Sequence, residues 1–271
     1  MYPCARLLSR SATWPGAAEA KAMLDATTAC ARPSPLLTIV IPALNEGSVI
    51  AELLASLAPL RVRGVEVVVV DGGSTDGTAE LATDFCNQLI VSDRSRAVQM
   101  NAGARTAHGN VLWFVHVDAQ VPEGCLDEIA RIMDNPKVVG GYFRILLPPG
   151  FVYRLTDSFA HYAGLLLRMR CGDHGIFCRR TVFADIGGFP EVPLMEDVEF
   201  FRRLLRRGRV VHSHKRILVN PRRYEAIGCA RLTLAYGFIA SLYAFGVPLS
   251  VLARMHQHMC CTAHEPRTSP A

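Results

Sequence analysis

The stretch Glu66-Val-Val-Val-Val-Asp71-Gly-Gly-Ser-Thr-Asp76-Gly77 decides the fold. Four consecutive valines favour a strand that is buried on both faces, as in a parallel sheet. Asp71 follows at the carboxyl end of that strand, which is where open α/β sheets bind ligands. The glycines allow close backbone approach, and the Ser-Thr-Asp run favours a turn and a helix N-terminus. The stretch therefore predicts a nucleotide-handling α/β fold with a helix over Thr78–Phe85.

The residues on either side extend this pattern, because strands and helices alternate with short connections through the first half of the chain. We expect strands at Leu36–Ile41, Val65–Val70, Leu89–Val91 and Val111–Val115, with helices at Ser48–Leu57 and Ala97–Ala107. Such alternation is typical of a right-handed nucleotide-binding half-domain. No strand is followed by GxGxxG or GxxxxGK[ST], which argues against a dinucleotide Rossmann site and a P-loop.

The pattern changes after Pro122. We expect helices at Gly124–Met133, Phe151–Met169 and Thr181–Ile186 and another ending at Arg207, with extended segments at Val138–Leu147 and Val210–Val219. Residues 232–253 then carry no charge, and at about 1.5 Å per residue they could just cross a bilayer. Because Gly237, Gly246 and Pro248 interrupt this segment, a buried or amphipathic helix pair is the preferred interpretation over a span.

The composition bears on the cellular compartment and on the kind of partner that we expect. The 271 residues are 50% hydrophobic and carry a net charge of +5, while residues 202–231 alone carry a net charge of +9. This basic segment would face phosphates or anionic lipid, or simply form a solvated helix face. Nine scattered cysteines form no disulfide framework, so we expect a cytoplasmic protein, peripheral at most to the inner face of the membrane. No nucleic-acid partner is expected.

Four motifs, in order and at family spacing, resemble the family 2 glycosyltransferases. They are Thr38-Ile-Val-Ile-Pro-Ala-Leu-Asn-Glu46, Val69-Val-Asp71-Gly-Gly-Ser-Thr-Asp-Gly77, His116-Val-Asp118, and Gly187-Gly-Phe with Glu196-Asp197. The resemblance implies a GT-A fold, a single α/β domain with a central, mostly parallel sheet flanked by helices. We accordingly expect a variable or disordered extension over residues 1–35, the transferase domain over 36–225, and an apolar helical segment and tail over 226–271.

A narrower likeness is to the small transferases associated with radical-SAM/selenodomain proteins, a group linked to arsenosugar biosynthesis. It rests on Gln99-Met-Asn101-Ala-Gly103, Gly172-Asp-His-Gly-Ile-Phe177 and Leu194-Met-Glu-Asp-Val-Glu199. Two positions depart from that pattern, since His174 stands where glutamine is expected and Ser95 where glycine is expected.

The resemblance also implies a set of site residues. Asp197 would be the general base of an inverting transfer, and Asp118 would bind Mn²⁺ or Mg²⁺ on the donor diphosphate. Glu196, Asp173 and His174 would contact the donor sugar or the acceptor. The donor nucleotide would be held by Pro42, Asn45, Glu46, Asp71, Gly73, Arg96, Gln99, Asn101, His116 and Val117.

The expected activity is transfer of one sugar from a nucleotide-diphosphate donor, preferably UDP-linked, to a hydroxyl of a small molecule or lipid. Two alternatives stay open. His116 replaces the first aspartate of the family's metal motif, which would also suit a catalytically poor sugar-nucleotide-binding protein. The basic and apolar C-terminal segment would suit a peripheral membrane scaffold protein.

Overall fold

A computed structural model describes residues 36–220 and 222–260, and these residues form a mixed α/β domain around an eight-stranded sheet. The expected extension over residues 1–35 and the tail after residue 260 lie outside the described residues. The strands are β1 Leu37–Ala43, β2 Glu66–Asp71, β3 Gln88–Val91, β4 Val111–Phe114, β5 Ala119–Gln120, β6 Val138–Leu146, β7 Phe177–Arg179 and β8 Arg209–Val219. The helices are α1 Gly47–Val62, α2 Thr78–Thr83, α3 Arg96–Thr106, α4 Cys125–Met133, α5 Phe151–Leu166, α6 Arg180–Asp185, α7 Glu196–Arg207, α8 Arg222–Ile227, α9 Cys229–Ala244 and α10 Leu249–Cys260.

The strands lie in the order β3-β2-β1-β4-β7-β6-β8-β5. The β3-β2-β1-β4 half is parallel throughout, as the alternating sequence pattern predicts. Beyond β4 the sheet becomes mixed, because β7 runs antiparallel to both of its neighbours while β6 and β8 are parallel. The carboxyl ends of β1 and β4 therefore meet at one edge of the sheet.

Both faces of the sheet are covered by helices. Along β1, Ile39 and Ile41 pack into the core formed with α1 and α4, whereas Val40 packs into the core formed with α3, α6 and α7. This alternation buries every residue of β1, which explains why the strand reads as a continuous apolar run. Helix α3 approaches β1 closely at Gly103, where an added Cβ would lie 2.5 Å from a Val40 methyl group.

The uncharged segment near the C-terminus forms the predicted helix pair. Helices α9 and α10 are separated by a turn at Gly246 and Pro248 and pack against each other. Their shared core includes Val198 of α7, so the pair is fixed to the helix that carries the predicted base. Among the helices of the described residues, none combines the length and the apolar character needed to cross a membrane.

Candidate active site

A cavity of about 950 Å³ opens at the sheet edge where β1 and β4 end. Ligand pockets commonly enclose about 300 to 1,000 Å³, so this cavity has room for a large ligand or for two substrates. It brings together eleven of the fifteen predicted site residues. They are Pro42, Asn45, Glu46, Arg96, His116, Val117, Asp118, Asp173, His174, Glu196 and Asp197.

Asp71 and Gly73 are not among the residues that line this cavity. The Asp71 carboxylate accepts backbone hydrogen bonds from Gly73 and Ser74, both at 2.9 Å, and a short one from the Ser74 hydroxyl. Asp71 thus closes its own turn at the end of β2. An ionised carboxylate can accept about four hydrogen bonds, so Asp71 can accept one more from a nucleotide base. That contact stays a prediction.

Gln99 and Asn101 of α3 also lie outside the cavity lining, and their amides bond to the protein backbone. Gln99 is buried, and its Nε2 donates to the carbonyls of Ala43 and Val70 at the ends of two strands. The Asn101 amide donates to the carbonyl of Phe189 and accepts from its N–H. These contacts hold α3 and the Gly187-Gly-Phe loop in place, so both amides have an evident structural role.

Asp197, in the first turn of α7, has the geometry expected of a proton acceptor. Its side chain is buried in the cavity wall, and Oδ2 accepts the Gly172 N–H at 2.9 Å. The other oxygen, Oδ1, has no hydrogen-bond partner among the described residues. Burial, and then the negative charge of Glu196, raise the pKa of Asp197 to about 6. The carboxylate is therefore mostly ionised at neutral pH, and one of its oxygens has no hydrogen-bond partner among the described residues.

His116 is paired with Asp173 across the cavity floor. Its Nδ1 lies 3.0 Å from Asp173 Oδ1, and its side chain is only 11% exposed. Burial is the largest influence on His116 and opposes its protonation, but the hydrogen bond from Asp173 and the charges of Asp173 and Asp197 together raise the pKa of the imidazole. Burial likewise opposes ionisation of Asp173, yet the same hydrogen bond lowers the pKa of that carboxyl. Each group of the pair thus favours the charged form of the other.

Gly172 joins the two groups, and our residue-by-residue prediction missed it. A Cβ at this position would lie 2.9 Å from Asp197 Oδ2 and closer still to the His116 ring. Only glycine lets the 3₁₀ turn over Gly172–His174 fit between them. The signal was present in the sequence, because Gly172 belongs to the Gly-Asp-His-Gly motif, but a residue without a side chain offers no chemistry to single out.

Charged pairs occupy the rim of the cavity. Arg96 at the start of α3 lies 3.6 Å from Glu196, and Arg222 of α8 lies 3.4 Å from Glu46. Burial raises the pKa of Glu46 although Arg222 opposes the effect, and the charge of Asp118 adds to it. Glu46 and Asp118 are therefore close enough to repel each other. A cation or a proton at this position would relieve that repulsion.

His174 follows Asp173 in the same turn and is buried. Burial, and then the nearby Arg170 charge, lower the pKa of His174 to about 3, so the ring is neutral at physiological pH. A neutral imidazole can both donate and accept a hydrogen bond, and its Nδ1 already lies 3.4 Å from the Cys171 sulfur. His174 therefore suits contact with hydroxyl groups better than contact with phosphates.

The donor set suits a hard divalent cation. Asp118 offers carboxylate oxygens, which Mg²⁺ and Mn²⁺ prefer. Among the described residues no group of three His, Cys, Asp or Glu side chains comes together to hold a metal ion. A cation that is bound by one or two carboxylates together with substrate phosphates, which is common for Mg²⁺, does not need such a group.

Comparison with known proteins agrees with this architecture. Residues 38–184 match the glycosyl transferase family 2 domain. A PGL/p-HBAD biosynthesis glycosyltransferase of Mycobacterium bovis is 31% identical over 169 residues, which is 58% of this chain and 64% of the relative's length. Glycosyltransferase AglE of Haloferax volcanii is 26% identical over 171 residues, covering 58% of this chain and 56% of the relative.

Solved structures show the same fold. The mannosyltransferase PcManGT from Pyrobaculum calidifontis, in complex with GDP-Man and Mn²⁺, has a TM-score of 0.59 at 20% identity, covering 89% of this chain and 76% of that chain. Glucosyl-3-phosphoglycerate synthase from Mycobacterium tuberculosis, in complex with Mn²⁺, UDP and glucosyl-3-phosphoglycerate, has a TM-score of 0.52 at 18% identity, covering 87% of this chain and 88% of that chain. The predicted GT-A fold is thereby confirmed. Since the family match extends over more than half of its residues, the chain belongs to glycosyl transferase family 2.

Proposed function

We propose that this glycosyltransferase is a metal-dependent, inverting enzyme that moves one sugar from a nucleotide diphosphate to an acceptor hydroxyl. The observation that carries the proposal is the buried Asp197 carboxylate in the wall of the cavity that Asp118 also lines; its Oδ1 has no hydrogen-bond partner in the part of the chain that the structure describes. A base and a diphosphate-binding carboxylate in one large cavity are what a single in-line displacement requires.

Asp197 takes the proton in the proposed reaction. The acceptor oxygen attacks the anomeric carbon of the sugar as its proton passes to Oδ1 of Asp197. The bond from that carbon to the diphosphate oxygen breaks, and the nucleoside diphosphate leaves from the opposite face. One displacement of this kind inverts the configuration at the anomeric carbon.

Residues on the other wall of the cavity would bind the donor. Pro42, Asn45 and Glu46, which end β1, would flank the nucleotide, and Asp118 would hold Mn²⁺ or Mg²⁺. When bound, the cation offsets negative charge on the departing diphosphate. Arg96 and Arg222 line the same cavity and supply positive charge of their own. UDP is our preferred nucleotide, and the GDP-Man complex of PcManGT makes GDP the main competitor.

Titration calorimetry of UDP, GDP and dTDP, each with and without Mn²⁺, tests the donor site. We expect one nucleotide to bind preferentially and only with metal, and we expect Asp118→Ala to lose that binding. Well-folded protein that binds none of the three would overturn the proposal. A protein that binds a nucleotide but shows no acceptor-dependent turnover would be the catalytically poor binding protein considered above.

A specific observation favours contact with a membrane surface as an additional property. Helices α5 and α9, which pack against each other, present exposed apolar side chains. On α5, Phe151, Leu155, Tyr162, Leu165 and Leu166 fall within an arc of about 100° at 3.6 residues per turn, and all five are exposed. Leu234, Phe238 and Phe245 are exposed along α9 and its C-terminal end. Apolar stripes of this kind are typical of helices that lie in the membrane interface.

We include in the proposal a peripheral location at a membrane through these two helices. Flotation with vesicles that contain anionic lipid tests it, with Leu155→Ser and Phe238→Ser expected to weaken binding. If the chain is a scaffold rather than an enzyme, vesicle binding would be its function and would survive both Asp118→Ala and Asp197→Ala. The radical-SAM/selenodomain-associated subgroup stays part of the proposal on the strength of the Gly172–Phe177 motif, where His174 departs from the pattern.

A further inference from the structure

The active-site cavity has a second part that the proposed chemistry does not use. On one side of Asp197 the cavity lining is charged, and on the other it is formed by α5, α8, α9 and the segment before α7. We call this second part the apolar lobe and define it by Met169, Leu194, Tyr224, Ile227, Tyr236 and Ile239. Five of these six side chains also pack against the C-terminal core, and Ile239 belongs to it.

The polar side chains that line the apolar lobe are engaged with other parts of the protein. His256 of α10 lines the cavity, and its ring stacks on Tyr236 with the ring centroids 6.1 Å apart. Thr156 of α5 and Thr233 of α9 line it, but their hydroxyls bond to each other at 2.9 Å. Each hydroxyl also lies within hydrogen-bond distance of a backbone carbonyl of its own helix, so the two hydroxyl protons are shared among these three contacts. Burial raises the pKa of the Tyr224 phenol, which therefore stays neutral. A sugar or a phosphate placed here would find few partners for its own polar groups, and that is costly.

The apolar lobe adjoins the base. Val198, next to Asp197, both lines the cavity and packs into the C-terminal core. Tyr224 of the lobe lines the same cavity as His116 and Asp173. A molecule whose hydroxyl reaches Asp197 would thus place its remaining part in the apolar lobe.

We infer that the acceptor carries an apolar chain or ring system next to its reactive hydroxyl, and that this apolar part binds in the lobe. The inference rests on the proposed function, since it assumes that Asp197 faces an acceptor. The cavity volume agrees with it, because a donor and an acceptor must fit there together. Asp197, Val198 and the lobe form one continuous surface from the reacting atoms to the apolar end.

Alkyl β-D-glucosides with chains of four to eight carbons are suitable probes below their micellar concentrations. They combine hydroxyl groups with an apolar tail of adjustable length. Burying one methylene group favours binding by a factor of about four. Calorimetry with the full chain should therefore show 1:1 binding that tightens by up to that factor for each added carbon. Binding that does not depend on chain length would overturn the inference.

Two variants locate the binding. Ala240→Trp fills the lobe and should remove the dependence on chain length, whereas Ala230→Trp places the same bulk on the exposed side of α9 and should not. Ile227→Gln at the end of α8 makes the lobe polar without adding bulk, so it still tests the idea if Ala240→Trp fails to fold. Loss of the dependence in Phe238→Ser alone would place the probe on the outer surface and overturn the inference.

Binding of UDP or GDP with Mn²⁺, measured on the same samples, separates the two proposals. Intact nucleotide binding without dependence on chain length refutes the apolar acceptor and leaves the transferase proposal standing. Absence of nucleotide binding refutes the transferase proposal itself, on which this inference depends.

Discussion

Replacing Asp197 by asparagine should make the protein more stable while it removes the proposed base. The carboxylate is buried, one of its oxygens has no hydrogen-bond partner among the described residues, and Glu196 lies beside it. Folding therefore places a negative charge where it is poorly solvated. Asparagine keeps an oxygen that can accept the Gly172 N–H, and it carries no charge.

The size of this effect follows from the pKa of Asp197, which rises from 3.8 to about 6 in the folded state. Each pKa unit corresponds to about 1.4 kcal/mol, so ionised Asp197 costs the folded state about 3 kcal/mol. This effect on the free energy of unfolding depends on pH. Above pH 6 the folded protein carries the charge and is destabilised by the full amount, and below about pH 3.8 Asp197 is protonated in both the folded and the unfolded states and the effect disappears. The variant should gain about 3 kcal/mol at pH 7.5 and about half of that at pH 5.

Urea unfolding of both proteins at these two pH values measures the gain without any knowledge of the substrates. Asp93→Asn is the control, because Asp93 is exposed and its side chain makes no hydrogen bond or ion pair that the structure shows. That variant should change the free energy of unfolding little at either pH. An Asp197→Asn protein that is less stable than the parent, or whose gain is equal at both pH values, would refute the reasoning.

Four further predictions concern activity and packing. Turnover should fall about tenfold between pH 7 and pH 5, because Asp197 becomes protonated over this range. Asp197→Asn should lower kcat by a factor of about 10² to 10⁴, while its nucleotide affinity, measured by calorimetry, should not change. Gly172→Ala should lose at least about tenfold in turnover, with far-UV circular dichroism unchanged, because its Cβ displaces His116 or Asp197. Trp113→Phe should lower the free energy of unfolding by about 2 to 4 kcal/mol, since the buried Gly175 carbonyl loses the indole N–H that lies 3.0 Å from it.

The sequence was sufficient for the parallel half of the sheet. Strands β1, β2 and β4 are short apolar runs that end in polar or glycine-rich turns, and each was placed to within about two residues. Strand β5 was not predicted, because its two residues take their position from antiparallel pairing with β8. Pairing between segments far apart in the sequence leaves little local trace.

The site was predicted best where one strand end carries the chemistry. Pro42, Asn45 and Glu46 end β1, and His116 to Asp118 follow β4, so neighbouring strands bring the two groups to one cavity. Gln99 and Asn101 look similar in the sequence, as polar residues on a helix beside the site. Their amides face backbone carbonyls instead, and no sequence pattern distinguishes an amide that binds a ligand from one that supports a loop.

The apolar lobe is a second feature that the sequence alone did not locate. Residues 232–253 read as an uncharged segment whose apolar character called for burial or for a membrane. In the structure this segment lies in two helices. Some of its apolar side chains pack on α7, some line the cavity beside Asp197, and some are exposed. Hydropathy alone does not predict which of these side chains pack, line the cavity or are exposed, because that depends on which face of each helix contacts another element.

The histidine in the metal motif illustrates how distant segments can share one chemical task. At position 116 the chain lacks the carboxylate that the family motif carries there, and the sequence alone indicates a lost negative charge. In the fold, the Asp173 carboxylate lies 3.0 Å from the His116 ring, so negative charge returns to the cavity floor from a turn 57 residues away. Gly172, next to Asp173, must be small for this turn to approach both His116 and Asp197. His116 and the Gly-Asp-His-Gly motif therefore belong to one arrangement. Considered alone, His116 indicates that the site lacks a carboxylate, whereas the fold shows that Asp173 supplies one nearby.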